Sequence, residues 1–150
     1  DGAKFDAGVY NVTDILSVTA STDITLTGDN TAQCWVFNIG NYMSLGANVN
    51  IVLENVGSNS TVIWNILGDS TGGAGLGYAS LGAGVKFKGV ILANSYISVG
   101  AGSAMVTGVG NSCGGLYSAT GYVSVGATSI VGRQLDCGST GCQDSEVIYD

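Results

Sequence analysis

The chain repeats one short phrase in which apolar and polar residues alternate. The phrase reads Tyr-x-Ser-[Leu/Val]-Gly-Ala and occurs four times along the sequence. Alternation with a period of two is typical of a β-strand, whose successive side chains point to opposite faces. One face of each strand should therefore pack into a core, while the other face carries a tyrosine and a serine. The predicted surface ladder consists of Tyr42, Tyr78, Tyr96, Tyr122, Ser44, Ser80, Ser98 and Ser124.

Two further apolar segments accompany each phrase. Segments such as 35–39, 62–66 and 89–93 precede the phrases, and pairs such as Val85 and Phe87 follow them. Three short strands per turn, repeated in this way, predict an all-β fold, a three-sided β-solenoid (β-helix) of about four to five rungs. The chain shows no sustained 3.6-residue periodicity, so we expect no substantial helix. An antiparallel sandwich is the alternative, but it does not require the same residue class to recur at the same place in each turn.

The repeat also suggests the domain organisation. We expect residues 1–150 to form one domain, with 1–6 and 133–150 as terminal extensions that either cap the solenoid or are exchanged between molecules. The stretches 69–77 and 110–115 exceed the period and predict loops that bulge from corners.

Composition excludes several functional classes. Only 10% of the 150 residues are charged, and the net charge of -7 argues against nucleic acid or an anionic membrane as a partner. Apolar runs are too short to span a membrane. Histidine is absent and the acids are scattered, so the sequence offers no base to activate a serine and no metal-ligand cluster. We therefore expect a protein that is not an enzyme and that uses no cofactor and no metal.

Several features favour a secreted protein, located outside the cell or at its surface. The sequence begins at Asp1 without a methionine, which is typical of a processed chain. Asn11 and Asn59 begin glycosylation sequons, and the number of cysteines is even.

The cysteines Cys34, Cys113, Cys137 and Cys142 are compatible with two disulfides. Cys137 and Cys142 could close a small local loop, which would leave Cys34 for Cys113. The repeat places Cys34 and Cys113 in different rungs, roughly 14 Å apart at about 4.8 Å per rung, whereas bonded cysteines have Cα atoms within about 7 Å. Either the 110–115 stretch reaches back, or the pairing crosses differently, within one chain or between chains.

The run from Phe87 to Gly102, together with the segments 35–40 and 62–68, resembles the microbial ice-binding domain family. The resemblance extends from about Ala7 to Gly132. It implies a discontinuous three-sided β-solenoid with a long α-helix packed alongside. In that family a segment before the Gly-Val-Tyr element supplies an end coil and the helix. Only six residues precede Ala7 here, so we expect both to be missing.

Without that helix, one outward column should be left uncovered. Val36, Ile63, Val90 and Leu116 lie 27, 27 and 26 residues apart, which predicts a stacked, exposed aliphatic stripe. Such a stripe favours a cover, since burying an aliphatic side chain contributes roughly 1.5–3 kcal/mol. The cover could be a loop or the C-terminal tail, or it could be another copy of the protein.

From the sequence, the leading hypothesis is a non-catalytic extracellular structural protein, a self-associating subunit of a filament or surface coat. Its partner would be a second copy, joined head-to-tail or laterally as a homo-oligomer through the stripe and through unpaired strand edges. Ice binding through a flat solenoid face is the alternative, which the ridge of four tyrosines disfavours. A third hypothesis is an adhesin-type module whose tyrosines stack on glycans.

Overall fold

The computed structural model describes residues 2–68, 76–102 and 104–132, and these residues form short β-strands and no helix. The strands follow the chain in this order: β1 (Lys4–Asp6), β2 (Gly8–Val12), β3 (Leu16–Val18), β4 (Asp23–Thr27), β5 (Cys34–Ile39), β6 (Met43–Leu45), β7 (Asn50–Glu54), β8 (Thr61–Ile66), β9 (Ala79–Leu81), β10 (Lys86–Lys88), β11 (Val90–Ala93), β12 (Ile97–Val99), β13 (Met105–Thr107), β14 (Gly115–Ser118), β15 (Val123–Val125) and β16 (Ile130–Val131).

The strands assemble into three parallel sheets, and each turn of the chain contributes one strand to every sheet. Sheet A has the order β1-β4-β7-β10-β13-β16, sheet B has β2-β5-β8-β11-β14, and sheet C has β3-β6-β9-β12-β15. Neighbouring strands within each sheet pair in parallel throughout the described chain. The predicted all-β three-sided solenoid is therefore confirmed.

The pairing register explains why the sequence repeats. In sheet B, Val36 pairs with Ile63 and Phe37 with Trp64, and β11 continues the same columns. Each residue thus stacks on a residue of the same class from the previous turn. Since side chains alternate between faces, a one-residue slip would turn every core residue outward, so the buried face fixes the register.

An aromatic column occupies the centre of the core. The rings of Phe37 and Trp64 stack with centroids 4.1 Å apart, and Phe87 lies 5.1 Å from Trp64. The indole nitrogens of Trp35 and Trp64 donate to the carbonyl oxygens of Phe5 and Lys88, at 3.1 and 2.9 Å. The large rings therefore contribute buried apolar area without leaving a polar group unsatisfied.

Glycines allow two unusually tight corners. Gly89 turns the chain from β10 into β11 with a φ of 112°, and a Cβ atom there would lie 2.5 Å from the Val62 carbonyl oxygen. Gly68 and Gly77 also have positive φ values of 74° and 82°. A Cβ atom on either would lie 3.2 Å from the Cα atom of the other, so the chain leaves and rejoins the solenoid at nearly one point.

The structure corrects the predicted register of the last turn. Leu116 does not continue the aliphatic stripe, because it pairs with Ile91 and packs against the core, while Gly115 pairs with Val90. Tyr117 consequently points outward and is 50% exposed. The cause is that the corners differ in length from turn to turn, because Gly115 follows its partner Val90 by 25 residues, whereas 27 residues separate Val36 from Ile63 and Ile63 from Val90.

At the N-terminal end, residues 4–6 were expected to belong to a terminal extension. They form β1, which pairs with β4 and adds a sixth strand to sheet A. The other predicted extension, 133–150, lies outside the described residues, as do residues 69–75 of the predicted corner loop.

Replacing Trp64 by alanine should lower the free energy of unfolding by about 3–5 kcal/mol, because it leaves a large cavity in the aromatic column. Urea denaturation followed by circular dichroism measures the loss. Val9→Thr is the control, since Val9 is 65% exposed and the change should stay within about 0.5 kcal/mol. Similar losses in both variants would contradict the proposed role of the column.

Candidate functional site

Sheet C carries the most regular surface of the described chain. Its outward positions hold one serine per strand, and the pairing aligns them in a single column made of Ser17, Ser44, Ser80, Ser98 and Ser124. The three middle serines are half-buried and the two end serines are exposed. Parallel strands repeat at about 4.8 Å, so the hydroxyl groups recur at that spacing along the solenoid.

Sequence reasoning missed the first member of this column. Ser17 pairs with Ser44, and the stretch 15–20 is a fifth copy of the phrase, 27 residues before the next one. Ile15 and Thr19 replace the tyrosine and the glycine, so the phrase was not recognised. The sequence signal that could have identified Ser17 is the segment 17–20, which keeps the serine, the valine and the alanine of the phrase at the same spacing.

The four predicted tyrosines form one stack at the edge of sheet C. Ring centroids are 4.7 Å apart between Tyr42 and Tyr78, 4.9 Å between Tyr78 and Tyr96, and 5.2 Å between Tyr96 and Tyr122. The interplanar angles are 8°, 0° and 15°. Because the rings lie face to face along the solenoid axis, their edges form a regular wall beside the serines.

On the other side of the serines the surface is almost free of side chains. The phrase places a glycine after each strand of sheet C except β3, at Gly46, Gly82, Gly100 and Gly126. A Cβ atom at Gly82 or at Gly100 would lie 2.6 Å from the backbone nitrogen of Ala47 or Ala83 in the previous turn. The close approach of successive turns therefore requires glycine here and keeps this strip flat.

Charged side chains are segregated from this surface. Within the strands of sheet C the outward residues are the serines alone. Sheet A instead carries Lys86, Lys88 and an exposed ion pair in which the Lys4 ammonium lies 3.1 Å from the Glu54 carboxylate. The three outer faces thus differ in chemistry, and only the face of sheet C repeats one polar residue in every described turn.

Sheet B presents a less regular outer face. Val36, Ile63 and Val90 stack as predicted, but they are half-buried rather than fully exposed. Beside them, Asn38 donates to the Asn11 side chain at 3.0 Å, and Asn65 donates to Asn38 at 3.3 Å.

The two candidate glycosylation residues lie in different places. Asn11 is exposed on the outer face of sheet B, where its side-chain oxygen accepts the hydrogen bond from Asn38. Asn59 lies in the corner before β8, and its side-chain oxygen accepts a hydrogen bond from Asn111 at 3.2 Å. Glycan attachment at either asparagine stays a prediction.

Two of the four cysteines lie in the described part of the chain. Cys34 begins β5, and Cys113 lies in the loop before β14. Both are disulfide-bonded, and the described residues include no free thiol. Cys137 and Cys142 lie outside the described residues.

Electrostatics single out one tyrosine of the stack. Partial burial raises the pKa of Tyr78, and the neighbouring phenols of Tyr42 and Tyr96 raise it further because a phenolate there would face theirs. Elsewhere, in the corner before β5, a hydrogen bond from the Thr31 hydroxyl lowers the pKa of Asp29.

Residues 2–68, 76–102 and 104–132 contain neither a metal-ligand cluster nor a membrane-spanning helix. No three histidine, cysteine, aspartate or glutamate side chains in this range are grouped so as to hold a metal ion. Nor does this part of the chain contain a helix long and apolar enough to cross a membrane.

Comparison with known proteins identifies the class to which this solenoid belongs. The model of the family described as ice-binding-like matches residues 1–131, so the chain belongs to the ice-binding-like family. An ice-binding protein from Leucosporidium sp. (strain AY30) is 35% identical over 98 residues, which are 65% of this chain. The aligned part is 33% of that relative, so the chain matches about a third of its length. No solved structure matches the chain.

The raised pKa of Tyr78 predicts a loss of stability in alkali. The native state holds the phenolic proton more tightly than the unfolded chain, whose tyrosine pKa is about 10. The stability that the protonated Tyr78 phenol contributes is therefore fully present below about pH 10. It is lost as the pH rises through the pKa of Tyr78 in the native state. Denaturation midpoints measured from pH 8 to pH 11 should fall less steeply for Tyr78→Phe than for the unchanged protein. Parallel curves for Tyr78→Phe and the unchanged protein would contradict the expectation.

Proposed function

We propose that this protein binds ice through the outer face of sheet C, without catalysis. Membership of the ice-binding-like family and similarity to a protein described as ice-binding support this function. The observation that carries the choice of face is the in-register column of serines from Ser17 to Ser124. The filament subunit favoured by the sequence has no such support from the comparisons, so ice binding replaces it as the leading function.

A crystal surface is recognised best by a surface that is itself periodic and rigid. The serine hydroxyls recur at the spacing of parallel strands, and both neighbouring turns hold each strand through backbone hydrogen bonds. Water molecules bound along the column would consequently be ordered before contact, which limits the entropy lost when they join the ice. The absence of charge from the outward strand positions avoids the cost of dehydrating an ion.

The stacked tyrosines border the proposed ice-contact surface and are not its centre. The sequence suggested that a ridge of phenols would spoil a flat face. The near-parallel stacking of the rings instead gives a straight wall of even height, which borders the serines on one side as the glycines do on the other. We infer that the wall stiffens the edge of sheet C, since stacked aromatic pairs contribute roughly 0.5–1.5 kcal/mol each.

Ice outside the cell is the target that fits the other features. An even number of cysteines and two sequons are typical of secreted proteins. We therefore propose that the protein acts outside the cell.

Self-association is a second candidate, favoured by one observation at the end of the solenoid. In the last described turn the inward residues Val123, Val125 and Val131 are 38–42% exposed, because no further strand covers them within the described part of the chain. Exposed core residues and an unpaired strand edge favour contact with another strand.

Replacing Ser98 by tyrosine tests the proposed ice-binding face. A bulky side chain in the middle of the serine column should reduce thermal hysteresis at least severalfold, because it holds the flat surface away from the ice. Met105→Tyr is the matched control, since Met105 is exposed on the outer face of sheet A and the new residue is the same. Thermal hysteresis is measured in a nanolitre osmometer, with circular dichroism to verify the fold.

The Met105→Tyr control distinguishes the assignment of the binding face to sheet C from the proposal that the protein binds ice. Loss of activity in Met105→Tyr but not in Ser98→Tyr would contradict the assignment to sheet C while leaving ice binding in place. A lack of thermal hysteresis and of adsorption to ice in the unchanged protein would contradict ice binding itself.

Light scattering coupled to size exclusion tests self-association. If the exposed end is a subunit contact, the mass should rise with concentration, and Val123→Lys should return it to that of a monomer, because a charge opposes burial. Met105→Lys, which adds the same charge on the exposed outer face of sheet A rather than at either end of sheet C, is the control. A monomeric mass at all concentrations would contradict this candidate.

A further inference from the structure

An asparagine ladder runs along the outer face of sheet B and ends at Asn11. The pairing register places Asn11, Asn38 and Asn65 in one column, one residue per turn. The side-chain nitrogen of Asn38 donates to the Asn11 side-chain oxygen at 3.0 Å, and that of Asn65 donates to the Asn38 oxygen at 3.3 Å. Both hydrogen bonds of the ladder therefore run in the same direction, from the nitrogen of one turn to the oxygen of the turn before it.

This direction leaves the side-chain nitrogen of Asn11 outside the ladder. β2, which carries Asn11, is the edge strand of sheet B in the described chain. A side-chain amide has one oxygen and one nitrogen on the same carbon, so an oxygen held by one neighbour turns the nitrogen away from that neighbour. Because Asn38 holds the Asn11 oxygen and Asn11 is exposed, the nitrogen is accessible from solvent.

The same asparagine begins the glycosylation sequon Asn11-Val12-Thr13. Side chains of a strand alternate between its two faces, and Val12 packs against the core. Asn11 and Thr13 are both exposed. The fold therefore buries the variable residue of the sequon and presents the two residues that define it to solvent.

We propose that Asn11 carries an N-linked oligosaccharide. In the transfer, the Asn11 side-chain nitrogen bonds to C1 of the first sugar of a lipid-linked oligosaccharide, and the bond from that carbon to the pyrophosphate oxygen breaks. The nitrogen loses one proton, and the lipid pyrophosphate leaves with the bonding electron pair. The Asn11 oxygen still accepts the hydrogen bond from Asn38, so the glycan leaves the ladder intact.

The other sequon lies in a more crowded place. The loop before β14 packs on this corner, where the backbone nitrogen of Asn111 donates to the Ser58 carbonyl oxygen at 2.7 Å. The Asn111 side chain also donates to the Asn59 side-chain oxygen at 3.2 Å. Thr61, the third residue of this sequon, is only 2% exposed. Of the two sequons, the one at Asn11 is thus the one at which the fold leaves more room for a sugar.

A glycan at Asn11 would also protect an exposed apolar side chain. Val9 lies two residues before Asn11 on the same face of β2 and is 65% exposed. A bulky, hydrophilic oligosaccharide beside Val9 would keep other apolar surfaces away from it. The serine column belongs to sheet C, a different face of the solenoid, so the modification does not depend on ice binding.

Peptide mass spectrometry of the full chain, secreted from a eukaryotic host, tests the proposal. A protease that cleaves before aspartate separates the two sequons, because Asp6 and Asp14 bound the peptide 6–13, which contains Asn11 but not Asn59. We expect this peptide to carry an oligosaccharide that peptide N-glycosidase removes, leaving aspartate at position 11. Recovery of peptide 6–13 in its unmodified form alone would overturn the proposal.

Variants of the sequon connect the glycan to Asn11. Asn11→Gln and Thr13→Ala should each lower the intact mass by that of one oligosaccharide, whereas Thr13→Ser keeps the hydroxyl group and should keep the glycan. Thr13→Ala retains Asn11 and its hydrogen bond from Asn38, so a loss there reports on the sequon and not on the ladder. Asn59→Gln is the matched control and should leave peptide 6–13 modified. Equal masses for Thr13→Ala and the unchanged protein would overturn the assignment to Asn11.

Discussion

The parallel, in-register pairing of each strand with its equivalent one turn away is the constraint on which this structure depends. It brings side chains of one kind into columns, so that a residue type at a given strand position recurs in each turn along the solenoid axis. The aromatic column of the core, the asparagine ladder of sheet B and the tyrosine stack of sheet C all follow from it. A column is favourable only when like residues stack well, which explains why rings, amides and hydroxyls recur and why charges are few.

The pairing also separates the three outer faces chemically. Sheet A carries the lysines and the ion pair of Lys4 with Glu54, sheet B carries aliphatic residues and amides, and sheet C carries hydroxyls between glycines and phenols. An exposed ion pair such as that of Lys4 and Glu54 contributes little stability, since solvent screens it. The placement of the charged residues on sheet A therefore keeps charge away from the other two faces and contributes little to stability.

Much of this could be predicted from the sequence, because the period of the repeat and the alternation within it define both the fold and the face. The column from Ser44 to Ser124 was predicted in this way. Ser17 was missed because its turn has isoleucine and threonine where the others have tyrosine and glycine. Leu116 was assigned to the wrong face because the corners differ in length from turn to turn, and the spacing of residues cannot show how a corner folds. The chemistry of the repeat was ambiguous between ice and self-assembly, since a periodic surface suits both.

The close contact of Gly68 with Gly77 has a practical consequence. The chain departs from sheet B at Gly68 and returns towards sheet C at Gly77, at almost the same point, and the registers of β8 and β9 are set by their own pairings on either side. Insertions and deletions at this position would leave the spacing of the hydroxyl column unaltered. A folded cargo domain whose own termini lie close together could be grafted there, which would turn the solenoid into a carrier that displays the cargo beside the serine face.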